Sequence, residues 1–200
     1  MRHFWSLVLV AALAPAGAGA DIVRSMNPER IREAIQWGLT ASDAELGQFD
    51  AHTENTWLVN FDTPFLRVAQ LAHTMKLQNL PVSDTDISPK LTDDAVHLYV
   101  HARLDLGEAK ESLPNIEYVI LTRPGRSDGP VVIVQPTSLQ SFVRRVPVAD
   151  DYDGPTRIAK SVKATFPLSA FGPDSQIRVT FQDGRVRTVK LDPQLFSHLR

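Results

Sequence analysis

Cysteine is absent from all 200 residues, which removes disulfides, thiolate metal sites, cysteine nucleophiles and a lipid-modified cysteine after a leader. A domain without such staples must rely on its apolar core. Charge of one sign is lacking too: 21 Lys and Arg stand against 23 Asp and Glu, a formal −2, so the broad positive field of a general nucleic-acid binder is missing. Catalytic signatures are equally scarce, with no Gly-x-Ser-x-Gly elbow, no Ser-x-x-Lys pair and no glycine-rich phosphate loop. An enzyme is therefore unsupported by any motif, although a triad assembled from distant residues leaves no local trace. Hydrophobic residues at 43% and charged residues at 22% are ordinary for a globular chain and argue against wholesale disorder.

What is present begins with the first twenty residues. Arg2 and His3 precede an apolar stretch from Phe4 to Pro15, followed by Ala16-Gly17-Ala18-Gly19-Ala20. A basic start, a short apolar middle and small residues before a cut read as a cleaved secretory signal, residues 1–20. The run is short of the roughly 20 apolar residues of a membrane span, and no later stretch is longer, so the mature chain is expected without a transmembrane anchor. Signal and missing cysteines together predict a bacterial exported protein, periplasmic or secreted.

The mature chain divides near residue 94. Residues 21–94 carry 6 basic and 12 acidic residues, and residues 95–200 carry 14 and 11, so the parts have opposite sign. The first reads as a helical segment with an acidic connection. Asn27-Pro28-Glu29 is a helix start, with a cap, a first-turn proline and an acid at the positive end of the dipole. Thr63-Pro64 opens a second helix whose apolar face runs through Phe65, Val68, Leu71, Ala72 and Met75. Trp57-Leu58-Val59 reads as a short strand or a buried loop, and Trp37, Trp57, Phe61 and Phe65 as core or as an apolar rim.

From Ala95 the period becomes two: Val96, Leu98, Val100 and Ala102 alternate with His97, Tyr99, His101 and Arg103. Further strands are expected at 116–122, 131–135, 141–148, 157–166, 176–181 and 185–191, separated by Pro, Gly and Asp turns. The predicted fold is α+β: an N-terminal helical segment packed beside a mostly antiparallel β-sandwich of about seven strands. The sandwich resembles the immunoglobulin-like architecture, without its Cys-Trp-Cys hallmark.

Asp183-Gly184 reads as a two-residue mirror-type turn. That register sets Phe181 against Val186 and Thr180 against Arg187, crowding Arg178, Arg185 and Arg187 onto one face, with Arg144 and Arg145 joining from another strand. Arginine forks suit carboxylates and phosphates, so this is the candidate surface for an acidic envelope polymer or an acidic protein. Exposed charge that discourages edge pairing is the blander explanation.

His97 and His101 are four apart, a zinc spacing on a helix only; on a strand they stand about 13 Å apart and share no ion. Asp150, Asp151 and Asp153 precede Gly154 in an acidic turn, which makes calcium the one cofactor to consider, although no Glu closes the loop. Asp84, Asp86, Asp93 and Asp94 are expected to cap short helices. The functional expectation is a non-catalytic binding or interaction module of the cell envelope. The alternative is a small periplasmic hydrolase or ligand-binding protein whose site lies between helical segment and sandwich, with His73, His97 or His101 titrating.

Overall fold

Two prolines fix the helices. In the computed structural model, which describes residues 25–46, 50–54, 57–103, 115–125, 130–147, 156–172 and 174–191, helix α1 spans Pro28–Thr40, with Asn27 Oδ1 accepting the Arg30 N–H at 2.9 Å. A single turn, α2, covers Asp43–Leu46. Helix α3 spans Pro64–Leu77, and the buried Thr63 hydroxyl accepts the Leu66 N–H at 3.2 Å. Both proline helices thus start where the sequence predicts. α1 and α3 touch backbone to backbone: a Cβ on Gly38 would lie 2.1 Å from the Ala69 carbonyl oxygen, so only glycine permits this approach.

Apart from 3-10 turns at Asp84–Asp86, Pro89–Leu91 and Leu168–Ala170, the remaining described elements are strands: β1 (Asp50–Glu54), β2 (Trp57–Asp62), β3 (Ala95–Arg103), β4 (Ile116–Arg123), β5 (Val132–Val134), β6 (Ser138–Pro147), β7 (Thr156–Pro167), β8 (Gln176–Phe181) and β9 (Val186–Lys190). They form two antiparallel sheets, one ordered β1-β2-β3-β7-β6 and the other β5-β4-β8-β9. The chain is a mixed α+β protein, and each strand expected after residue 95 is present. Counting β3 to β9 as seven, the immunoglobulin order would seat the second strand beside the fifth. Here β4 lies instead between β5 and β8.

Two strands precede residue 95. β2 pairs with β3 from Trp57↔Ala102 to Asp62↔His97, so hydrogen bonding crosses the expected boundary and the first part is not helical throughout. Val96, Leu98 and Val100 of β3, Val162, Ala164 and Phe166 of β7, Val119 and Leu121 of β4, and Ile177 and Val179 of β8 share one core between the sheets. Leu66 and Ala69 of α3 join it. Burying side chains of this size stabilises the fold by about 2 kcal/mol each relative to exposure. A smaller cluster of Ala34, Ile35, Phe65, Val68 and Ala72 glues α1 to α3.

The last hairpin differs from expectation by one residue. Phe181 N–H donates to the Arg185 carbonyl at 2.9 Å, Gly184 N–H to the Phe181 carbonyl at 2.9 Å, and Gly184 has φ +82°. The loop therefore has three residues, Gln182 to Gly184, with glycine in the left-handed position such loops require. Asp183 accepts the Arg185 N–H at 3.0 Å and its Nε–H at 2.7 Å, contacts a two-residue turn would not make.

Candidate functional site

That slip decides the fate of the arginine surface. Residues opposite one another in an antiparallel pair project from the same side, and a shift of one sends alternate side chains to the other face. Arg178 is opposite Thr188, whereas Arg187 is opposite the buried Val179. Arg178 thus stands on the outer face of the sheet and Arg187 on the core-facing side, exposed near the hairpin tip. The Arg185 guanidinium lies over the Phe181 ring, 5.9 Å from its centroid. The three arginines do not crowd one face. Arg144 and Arg145 belong to β6 of the other sheet, and their side chains lie outside the described residues, as do Asp150, Asp151 and Asp153 of the expected calcium turn and residues 1–20.

The outer face of the five-stranded sheet carries ordered polar rows. His97 is opposite both Asp62 and Thr165, and His101 is opposite Ser161. His97 Nδ1 lies 3.1 Å from Thr165 Oγ1, and the buried His101 has Nδ1 2.7 Å from Ser161 Oγ. Tyr99 stacks on His101, and the Lys163 ammonium lies 5.6 Å from the Tyr99 ring centroid. Two imidazole–hydroxyl pairs therefore recur along β3 and β7. Ser161 is itself buried, with its hydroxyl engaged by His101. His73 serves packing too, with Nε2 2.6 Å from Asp43 Oδ1 and Nδ1 3.2 Å from the Gly38 carbonyl, tying α3 to α1 and α2.

Burial pushes the Asp62 carboxyl from its ordinary 3.8 up to about 6; Arg67 and Lys163 oppose the rise and Asp93 adds to it. Asp62 Oδ1 is buried without a hydrogen bond, its Arg67 neighbour standing off with Nε at 4.0 Å. Arg67 instead donates to Asp93 Oδ1 at 2.5 Å and to the carbonyls of Leu91, Asp93 and Ala95. Burial also lowers His97 from 6.5 to about 4, helped by Lys163 and Arg67 and opposed by Asp93. Of the acidic connection, Asp86 caps by accepting the Ser83 N–H at 2.8 Å, and Asp93 serves Arg67 rather than a helix. Among the described residues no three His, Asp or Glu side chains gather to hold a metal ion.

The apolar rim expected from Trp57, Phe61 and Phe65 is not available, because all three are buried; Trp37 packs against Phe65 at 5.8 Å between centroids. Exposed apolar surface sits elsewhere. Among the described residues, six of the ten exposed large hydrophobic side chains fall between 131 and 143: Val131, Val132, Ile133, Leu139, Phe142 and Val143. Among the described strands β5 and β6 each form one edge of their sheet, β9 and β1 being the opposite edges, so one edge of each sheet and this apolar set lie along one stretch of chain. Leu139 and Val143 face inward by register, opposite Ala164 and Lys160, yet are 39% and 65% exposed while Ala164 is at 0%. The cover provided by the four-stranded sheet therefore ends between β7 and β6, and β6 overhangs. Below it opens a cleft of about 380 Å³, lined by Asn115, Ile116, Ser141, Phe142, Val143, Lys160, Ser161 and Val162.

The sequence carried one signal for this region: Phe142-Val143 breaks the alternation of β6 and is followed at once by two arginines. An interior strand with one solvated face rarely reads so.

No protein-family model matches the chain, and no curated protein matches it. A crystal structure described as a novel protein of unknown function from Burkholderia pseudomallei is similar over 88% of this chain and 94% of that one, at 10% identity and a TM-score of 0.39. No helix among the described residues is long and apolar enough to cross a membrane.

Proposed function

We propose that the protein is an exported bacterial envelope module that works by binding rather than catalysis, and that it takes an extended segment of an acidic protein partner along the β6 edge. The observation that carries this reading is the coincidence, over residues 131–143, of one edge of each sheet with most of the exposed large apolar side chains among the described residues. An edge strand offers unpaired N–H and C=O groups to which another strand adds, with neighbouring side chains giving selectivity. β6 is ten residues long and bonded on one side only, by β7, among the described strands. Arg144 and Arg145 lie on the same strand, and their charge favours a partner with carboxylates. Export rests on the form of residues 1–20.

The test is a pair of variants of the full chain. Phe142→Asp with Val143→Asp should abolish co-purification of the envelope partner, and alanine at Arg178, Arg185 and Arg187 should leave it intact. The reverse pattern would return the binding surface to the hairpin arginines and sink the β6 reading.

A further inference from the structure

We infer that Asp62 and Asp93 compete for the one guanidinium of Arg67, and that this choice makes the tie between α3 and the connection entering β3 a proton-controlled latch. Arg67 stands in the first turn of α3. Its Nε donates to the Leu91 carbonyl at 3.2 Å, and its Nη2 donates to the carbonyls of Asp93 at 3.2 Å and Ala95 at 3.1 Å and to the Asp93 carboxylate. One side chain thus fastens residues 91–95 to the helix. The connection holds its own amides in turns, Leu91 to the Ser88 carbonyl, Thr92 to that of Pro89 and Ala95 to that of Asp93.

Asp62, at the end of β2, lies just outside this set. Its Oδ1 is buried without a hydrogen bond, 4.0 Å from Arg67 Nε. A carboxyl occupies such a place at little cost only while it holds a proton, because an unpaired buried charge costs far more than a neutral group. Burial accordingly raises its value to about 6. Once ionised, Asp62 needs a donor, and the groups around it are few. His97 on β3 is uncharged above about pH 4 and has Nδ1 beside Thr165, Lys163 on β7 lies against the Tyr99 ring, and Asp93 on the connection repels a second carboxylate. Arg67 on α3 is the remaining partner. The Asp93 side chain is 51% exposed against 21% for Asp62, so water can take the place of Arg67 at Asp93 but not at the buried Oδ1 of Asp62. Ionisation therefore draws Arg67 toward Asp62 and away from Leu91 and Asp93. The latch is closed in acid, with Asp62 neutral and Arg67 on the connection, and it loosens as pH rises through about 6.

Two measurements on the full chain read this choice: NMR of the arginine side-chain Nε–H groups, and amide hydrogen exchange corrected for its intrinsic pH dependence. The Arg67 Nε–H resonance should titrate with a midpoint of about 6. The amides of Leu91, Thr92 and Ala95 should exchange about fivefold faster at pH 7 than at pH 5. In Asp62→Asn both readings should be flat, with the connection as protected at pH 7 as the parent's is at pH 5. Asp93→Asn removes the competing acid and should loosen the connection at pH 5 as well. A cooperative melt establishes that each variant folds. An Arg67 resonance that does not titrate, or that titrates unchanged in Asp62→Asn, overturns the latch, as does equal protection of residues 91–95 at the two pH values in the parent. Strand addition stands or falls separately, since β3 and β7 lie between β2 and β6 in the sheet.

Discussion

Asp62 and His97 face each other across the β2–β3 pairing, and burial drives their proton affinities in opposite directions, the carboxyl up to about 6 and the imidazole down to about 4. Arg67, 4.0 Å away, eases the carboxylate by its charge alone, since its hydrogen bonds go to Asp93 and to the carbonyls of residues 91, 93 and 95.

The pair makes opposing contributions to stability. Asp62, with its folded value raised, stabilises the fold fully below about 3.8 and loses that contribution as pH rises through about 6. His97, with its folded value lowered, contributes fully above about 6.5 and loses the contribution as pH falls through about 4. In the window between, the two offset each other. Going from pH 7 to pH 5, His97→Gln should gain melting temperature relative to the parent and Asp62→Asn should lose it. Each difference should be on the order of 3 °C, about 1 kcal/mol after allowing for solvent screening. Thermal melts at the two pH values check both signs; differences of the same sign in the two variants would contradict the opposed pair.

Gly38→Ala should destabilise by about 3 kcal/mol, because the new methyl would collide with the Ala69 backbone and force α1 from α3. Urea denaturation measures the loss. A neutral result would mean that the helices do not cross at backbone contact.

Gly184→Ala has open space around it but a φ of +82°, so its cost is conformational, about 1 kcal/mol. Gly184→Asn should recover part of it, since asparagine tolerates the left-handed region. The same denaturation assay separates this hinge effect from the collision at Gly38.

Thr63→Ala removes a buried cap from α3 and should cost about 1 kcal/mol, with Thr63→Ser close to the parent. Equal losses in both variants would point to packing of the Thr63 methyl instead of the hydrogen bond.

Local chemistry made much of this fold legible. Asn27-Pro28 and Thr63-Pro64 placed two helices, because caps and first-turn prolines act within a few residues. The strands after residue 95 were readable wherever one face is buried and the other wet, as along Val96 to Ala102. β2 was ambiguous for the converse reason: Trp57, Leu58 and Val59 are all buried, so β2 shows no alternation there. The placement of Arg178, Arg185 and Arg187 on one face was missed by a single residue of register, since Asp183-Gly184 fits a two-residue turn and also the three-residue loop that forms. The overhang of β6 depends on which strands end up at the edges. Strand order is set by contacts between distant segments, such as β3 with β7, and Phe142-Val143 hinted at it only by breaking the pattern.

The most direct test of the binding edge is site-specific photo-cross-linking in cells that produce the full chain, with the photoreactive residue placed at position 142 or, in a second variant, at position 178. The β6 reading predicts a discrete adduct with an acidic envelope protein from position 142 and none from position 178. An adduct from position 178 with nothing from position 142 would contradict it.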